Sequence, residues 1–231
     1  MRHVSLLERP AYRIQEAARY LRLPAATLRA WVLGRDYPVR DGTRRFQPVI
    51  DIADRKHGYL SFTNLVEAHV LAAIRRQHRI PLPKVRDAVR FLRDRFGSDR
   101  PLIQQQFQTD GLDLFVEKLG ALIAVSRQGQ LAMREIIELH LNRIERDTHG
   151  VPVRLYPFTR TEMAAATERA VVIDPKLSFG RPAIARLGIP TAVIAERYKA
   201  GDSIDALVVD YGAARAEIEE AIRCELQVEA A

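Results

Sequence analysis

Apolar side chains recur at helical spacing in two short runs near the beginning of the chain. The first run extends from Tyr12 to Leu21, and the second from Leu23 to Val32. Pro24 ends the first helix and suits the start of the second, because a proline lacks the N–H that would be unbonded there. Gly34 ends the second helix. Two short helices joined by a tight turn predict a helix-turn-helix.

Turn-forming residues and two longer amphipathic patterns follow. Asp41-Gly42, flanked by arginines, predicts a short β-hairpin, or wing, within residues 36–54. Helices are predicted from about Asn64 to His78, with Thr63 as N-cap, and from about Lys84 to Phe96. Their broad apolar faces suit either a dimer interface or ordinary packing within the chain.

The region 101–160 predicts strands as well as a helix. Leu102–Gln108 and Leu112–Lys118 flank Thr109-Asp110-Gly111, a sequence typical of a hairpin turn, and Ala121–Ser126 is a third candidate strand. A helix is predicted from about Leu131 to Ile144, followed by a strand from Val153 to Phe158.

Three short helices are predicted at the C-terminal end: Thr191–Lys199, Ser203–Asp210 with Ser203 as N-cap, and Ala214 to about Gln227. The predicted fold class is therefore α+β and mainly α. It comprises a winged helix-turn-helix in residues 1–60, a helical segment that is a candidate for dimerisation in 61–100, a helix-plus-hairpin α/β region in 101–160 and a trihelical, helix-turn-helix-like domain in 169–231.

Charge is distributed unevenly along the chain. The net charge is +7, but residues 1–100 carry 21 Lys and Arg against 10 Asp and Glu, a balance of +11. The remaining residues carry 15 against 19, a balance of −4. A basic N-terminal part joined to a mildly acidic C-terminal part indicates that the basic end binds a polyanion.

The sequence lacks the motifs that are typical of several classes of protein. No run of about 18 apolar residues predicts a membrane span, and no signal peptide precedes the first helix, so we expect a cytoplasmic protein without membrane contact. The six histidines are scattered, and Cys224 is the single cysteine, so we expect no metal and no other cofactor. No P-loop, Gly-x-Ser-x-Gly or Gly-x-Gly-x-x-Gly motif occurs, and we expect no enzyme activity.

The second helix is a candidate recognition helix. Leu28, Trp31 and Val32 face the core in this interpretation, and Arg29 is suited to pair with a guanine edge. Other arginines near this helix are suited to contact phosphates, which position a protein without reading sequence. The candidate DNA-binding residues are Arg22, Ala25, Thr27, Arg29, Arg35, Arg40, Arg44, Arg45 and Lys56.

The first of two resemblances lies in Glu16-Ala17-Ala18, Pro24, Thr27-Leu28-Arg29 and Trp31. This run resembles the DNA-binding helices of the MerR-like and excisionase-like winged helix-turn-helix families. It implies that the second helix reads DNA, with a wing beside it.

The second resemblance covers about residues 171–226. Asp174-Pro175, Gly180-Arg181-Pro182, Gly188-Ile189-Pro190 and Asp210-Tyr211 resemble a small bacterial helical family of unknown function, often found in antitoxins. This chain departs from the family at Leu187-Gly188-Ile189, where family members place Gly-Thr-Arg before Ile-Pro. The arginine of the family is absent, so no role of that side chain transfers. The two modules in this order resemble VapB-type antitoxins. The resemblance implies a protein that binds its own operator DNA and neutralises a PIN-domain ribonuclease toxin by direct contact. Because a helix-turn-helix reads one half-site of a palindromic operator, we also expect a homodimer.

Other functions remain open from sequence. One alternative is a stand-alone MerR-like transcription factor whose C-terminal part binds a ligand or another protein, and a weaker one is a DNA-architectural or excision factor. If the partner is a ribonuclease with a basic cleft, Glu217, Glu219 and Glu220 are candidates to contact it.

Overall fold

The computed structural model describes residues 5–39, 42–76, 80–105, 107–124, 126–159 and 169–226. Its mainly helical α+β fold confirms the predicted class. Within the described ranges the α-helices are α1 (Ile14–Tyr20), α2 (Ala25–Leu33), α3 (Phe62–Arg76), α4 (Leu82–Phe96), α5 (Leu112–Ile123), α6 (Arg127–Leu141), α7 (Thr191–Lys199), α8 (Ile204–Tyr211) and α9 (Arg215–Glu225). The strands are β1 (Tyr12–Arg13), β2 (Arg35–Val39), β3 (Gly42–Phe46), β4 (Tyr59–Leu60), β5 (Ile144–Arg146), β6 (Pro152–Leu155), β7 (Val171–Val172) and β8 (Ala183–Ile184).

The first two helices and the wing have the predicted arrangement. A turn containing Pro24 joins α1 to α2, and β2 pairs antiparallel with β3 as a hairpin beside α2. The first helix begins later than the apolar spacing suggested, because Tyr12 pairs with Leu60 as part of a two-stranded sheet of β1 and β4. This sheet joins the helix-turn-helix to the beginning of α3.

Helix α3 lies at the centre of the structure. Every side chain from Phe62 to Ile74 is buried. The prediction of Thr63 as N-cap is wrong, because the helix begins at Phe62 and the Ser61 hydroxyl accepts the bond from the Asn64 N–H at 3.2 Å. Since the apolar face of α4 is also buried within the chain, the described part of segment 61–100 offers no free apolar helix face for dimerisation.

The three strands predicted between 102 and 126 are wrong. This stretch forms a 3-10 turn (Pro101–Ile103), a π-helical turn (Phe107–Gly111) and α5. Its buried side chains recur at helical spacing: Phe107, Leu112, Phe115, Val116 and Leu119. Gly111 allows close packing rather than a hairpin turn, since a Cβ there would lie 3.0 Å from a ring carbon of Phe96.

The helix predicted from Leu131 to Ile144 is displaced along the chain. It begins at Arg127, where the Ser126 hydroxyl accepts a hydrogen bond from the Gly129 N–H at 3.3 Å, and Ile144 belongs to β5. Strand β6 pairs antiparallel with β5, so the strand predicted to begin at Val153 is present but shorter. All these elements share one hydrophobic core that includes α1 to α6.

The C-terminal helices pack around a second, smaller core. Helices α7, α8 and α9 follow the predicted pattern, and the Ser203 hydroxyl caps α8 by accepting from the Ala206 N–H at 3.1 Å. The residues of this core are Ile184, Ile194, Leu207, Ala213, Ile218, Ala221 and Ile222. Backbone bonds between Ile173 and Leu155, at 2.8 and 3.0 Å, join this unit to β6.

We expect Gly34→Ala to destabilise the junction between α2 and the wing. Gly34 has a φ of +78°, and a Cβ there would lie 2.3 Å from the Phe46 carbonyl oxygen. The combined strain and clash predict a loss of about 2 kcal/mol or more in the free energy of unfolding, measured by urea denaturation. Gly97→Ala is the control, because Gly97 has a φ of +62° but open space around it. Equal losses for the two variants would contradict the clash.

Candidate nucleic-acid interface

Helix α2 presents a small, polar surface beside a buried apolar one. Leu28, Trp31 and Val32 are buried, as the recognition-helix interpretation requires. Ala25 and Arg29 are exposed, and Thr27 is half-buried on the same helix. This surface leaves room for a close approach to a base edge, with Arg29 as the long donor side chain.

The wing contributes further cations. Arg35 is exposed at the beginning of β2, and Arg45 on β3 lies opposite Asp36, with 3.7 Å between its Nη1 and the carboxylate. This exposed pair is weak, so Arg45 remains available to another anion. Of the other predicted residues, Arg40 and the side chain of Arg44 lie outside the described part of the chain.

Lys56 lies in a turn that packs against the beginning of α1. The turn is held by Asp54, whose carboxylate accepts from the His57 N–H at 3.0 Å and contacts the His57 ring at 2.8 Å. These bonds lower the pKa of the Asp54 carboxyl. Gly58 allows the turn to approach Ile14, and the side chain of Lys56 remains exposed.

Arg22 has a different environment from the other predicted residues. It occupies the turn between α1 and α2 with a φ of +53°, and its guanidinium donates to the Thr159 carbonyl oxygen. The side chain therefore joins the helix-turn-helix to the segment that precedes the C-terminal unit.

Two ion pairs join α1 to the C-terminal unit. Arg181 contacts Glu16 at 2.6 Å, and Arg19 contacts the buried Glu225 at 2.6 Å. Glu225 also accepts from the Thr191 hydroxyl at 2.6 Å. Sequence reasoning missed this junction, because its partners are separated by more than a hundred residues and no local pattern relates them.

A pocket of about 460 Å³ lies between α2, the wing and the beginning of α4. Thr27 and Ala30 of the candidate recognition helix form one wall, and Arg35, Phe46 and Leu82 contribute to the others. The pocket places the exposed Arg35 next to the exposed side of α2.

A larger cavity, of about 710 Å³, lies on another part of the first unit. Glu8, Thr63, Arg100, Gln105 and His149 are among its lining residues. Glu67 lies behind it, with its carboxylate 3.7 Å from Arg100 and 3.1 Å from the Asn64 amide nitrogen. Burial raises the pKa of Glu67 to about 7, although Arg100 and Asn64 act in the opposite direction.

The described residues form neither a metal site nor a membrane-spanning helix. Among them, no three His, Cys, Asp or Glu side chains lie close enough together to hold a metal ion. In the same part of the chain, no helix has the length and apolar character needed to cross a membrane.

Two family models match the chain. Residues 10–89 match a family described as "Putative DNA-binding HTH domain", which covers α1, α2, the wing and α3. Residues 171–223 match "Protein of unknown function (DUF433)", which covers β7 to α9.

Two proteins of Mycobacterium tuberculosis are similar over most of their length. The chain is 29% identical to "Putative antitoxin VapB45", with 92% of each chain covered. The chain is therefore similar to this antitoxin over most of its length, and its N-terminal part matches the DNA-binding helix-turn-helix family. It is also 25% identical to "Uncharacterized protein Rv2308", over 94% of this chain and 91% of that protein.

A solved structure shares the fold of this chain. The crystal structure of Rv2018 from Mycobacterium tuberculosis superposes with a TM-score of 0.67. The match covers 94% of this chain and 99% of the Rv2018 chain, at 24% sequence identity. This structure shows the fold alone, whereas the similarity to the antitoxin and the match to the DNA-binding family support a function as an antitoxin or regulator.

The acidic residues of α9 are mostly engaged in contacts within the chain. Glu220 is buried and bonded to the Thr159 hydroxyl and to Arg223, so it is not available to a partner. Glu217 pairs with Arg186 at 2.9 Å, which lowers its carboxyl pKa. Glu219 contacts Arg215 at 3.2 Å. A partner surface built on these three carboxylates is therefore not supported by their contacts.

We expect Glu67→Gln to stabilise the protein at pH 8. The native pKa of Glu67, about 7, lies above the ordinary value of 4.5, so the folded chain retains a proton that the unfolded chain releases. Stability due to Glu67 therefore falls as pH rises from about 4.5 to 7, by about 3 kcal/mol in total. Urea unfolding at pH 5 and 8 should show a smaller decrease for the variant, and identical decreases would contradict this assignment.

Proposed function

We propose that the chain is the antitoxin of a type II toxin–antitoxin pair. It binds and neutralises a PIN-domain ribonuclease toxin, and as a homodimer it binds operator DNA and represses its own operon. The observation that carries the DNA half is the exposed Arg29 on a helix whose opposite face is fully buried. Ala25, Thr27, Arg35, Arg45 and Lys56 support it from nearby positions.

The partner half of the proposal is supported by similarity and by charge. The relative that shares 29% identity is named as an antitoxin, and it is similar over 92% of this chain. Residues 191–226 contain eight acidic against four basic residues, whereas residues 1–100 have a balance of +11. Although Glu217, Glu219 and Glu220 are engaged within the chain, the net charge of this stretch stays negative, which suits a partner whose surface binds RNA.

The decisive experiment is co-expression with the adjacent open reading frame, with an affinity tag on this chain alone. We expect a small ribonuclease to co-purify, and we expect that protein to arrest growth when it is expressed by itself. Elution of this chain alone, together with a harmless neighbour, would contradict the toxin assignment while leaving DNA binding to be measured separately.

We expect Arg29→Ala to reduce affinity for the DNA upstream of the gene by about 10-fold and to relax its sequence preference, because a bidentate pair with guanine is lost. Lys56→Ala should weaken binding to all DNA sequences. It should also reduce the slope of affinity against salt concentration by the amount expected for about one phosphate contact. Gel retardation at several salt concentrations measures both effects. Arg127→Ala, an exposed arginine at the start of α6, is the control. If Arg127→Ala lost as much DNA affinity as Arg29→Ala, a specific role for Arg29 would be contradicted.

A second candidate function is supported by the 710 Å³ cavity. Its mixed lining of Glu8, Thr63, Arg100 and His149 suits a polar small molecule, as a ligand-responsive MerR-like regulator would require. Under this alternative, the chain retards its upstream DNA but no toxin co-purifies. A ligand-dependent change in retardation by a metabolite extract would then favour it.

A further inference from the structure

Phe179 occupies an unusual place in the turn between β7 and β8. Its side chain is 96% exposed, more than any other large apolar residue of the described chain. Ser178, Phe179 and Gly180 also have φ values of +48°, +55° and +76°. The left-handed region is unfavourable for a residue with a side chain, and glycine alone tolerates it freely. The turn therefore retains strain while it holds an aromatic ring in solvent.

Hydrogen bonds fix this strained turn. The Gly180 N–H donates to the Leu177 carbonyl at 2.8 Å, and the Arg181 N–H donates to the Ser178 carbonyl at 3.0 Å. The Ser178 hydroxyl donates to the Gly188 carbonyl at 3.2 Å. The ring is thus presented by a fixed backbone, and strain of this kind is typically retained at functional positions.

The turn is attached to the helix-turn-helix. Gly180 packs so closely against Tyr12 that a Cβ would lie 2.5 Å from the tyrosine hydroxyl. The next residue, Arg181, pairs with Glu16 in the first turn of α1. Phe179 therefore lies beside the N-terminal end of α1, although it belongs to the C-terminal unit.

The surface at this end of α1 is basic. Arg13, Arg55 and Lys56 are exposed there, and Arg13 donates to the Tyr59 hydroxyl at 3.0 Å. The nearby carboxylates, Glu16 and Asp54, are engaged by Arg181 and His57. In a helix-turn-helix bound to DNA, the first helix crosses the phosphate backbone while the second enters the major groove. Exposed cations beside an exposed apolar ring at this position suit the phosphates and the minor groove of DNA.

We propose that Phe179 is a DNA contact contributed by the C-terminal unit. It inserts an apolar side chain into the minor groove that flanks the major-groove site read by α2, while Arg13 and Lys56 hold the adjacent phosphates. Apolar side chains on fixed backbones act in this way in proteins that widen or kink the minor groove. The proposal rests on the proposed operator binding and extends its footprint beyond the helix-turn-helix.

The test compares the affinities of the full-length Phe179→Gly variant and the wild-type chain for a duplex of the DNA immediately upstream of the gene. We expect affinity to fall by about 10-fold, since a buried apolar contact is lost. The slope of affinity against salt should not change, because no phosphate contact is removed, whereas Lys56→Ala should reduce that slope. The melting temperature should stay the same or rise, because glycine relieves the left-handed strain.

The control is Val209→Ser on α8, where the valine is 80% exposed. Serine replaces glycine in this control, because a glycine would weaken the helix. It should bind DNA as the wild type does. Unchanged DNA affinity for Phe179→Gly would overturn the proposal, and so would a loss of toxin co-purification without any loss of DNA binding. If the wild type itself does not retard the duplex, operator binding fails and this contact fails with it.

Discussion

The structure depends on the burial of α3 from Phe62 to Ile74. A helix enclosed on every side must satisfy its polar groups internally, because an unpaired buried polar group costs about 1–3 kcal/mol. Asn64 meets this requirement at the beginning of the helix, where its side-chain oxygen accepts from the N–H groups of Ala53 and Ser61 and its nitrogen donates to Asp51 and Glu67. The side-chain amide of Asn64 thus holds the loop that follows the wing, the start of α3 and the buried carboxylate of Glu67.

The C-terminal unit is held against α1 by two ion pairs. Arg181 contacts Glu16, and Glu225 contacts Arg19, each at 2.6 Å. The side of α2 that carries Ala25 and Arg29 takes part in neither contact and stays exposed. The same chain therefore holds its second unit firmly and keeps the candidate recognition helix accessible.

Local pattern was sufficient for some elements and insufficient for others. Helices α1, α2, α7, α8 and α9 were predictable, because proline, glycine or a serine cap marks a boundary next to each apolar repeat. The middle region was not, since Thr109-Asp110-Gly111 has the composition of a turn while the packing of Phe96 against Gly111 requires a helical backbone. The ion pairs of α1 were also beyond local pattern, and so was the role of Arg22, whose acceptor is the distant Thr159 carbonyl.

Among the described residues, the exposed cations of α2 and the wing give the first unit the charge and exposure to bind a polyanion. In the C-terminal unit α9 is acidic, and it packs against the first unit through Glu220 and Glu225. A single recognition helix reads one half-site, so specificity for a longer operator requires a second copy of the chain. Because the described apolar faces of α3 and α4 are used internally, such pairing has to use surfaces outside these two faces. The burial that stabilises the fold therefore also restricts where two copies can meet.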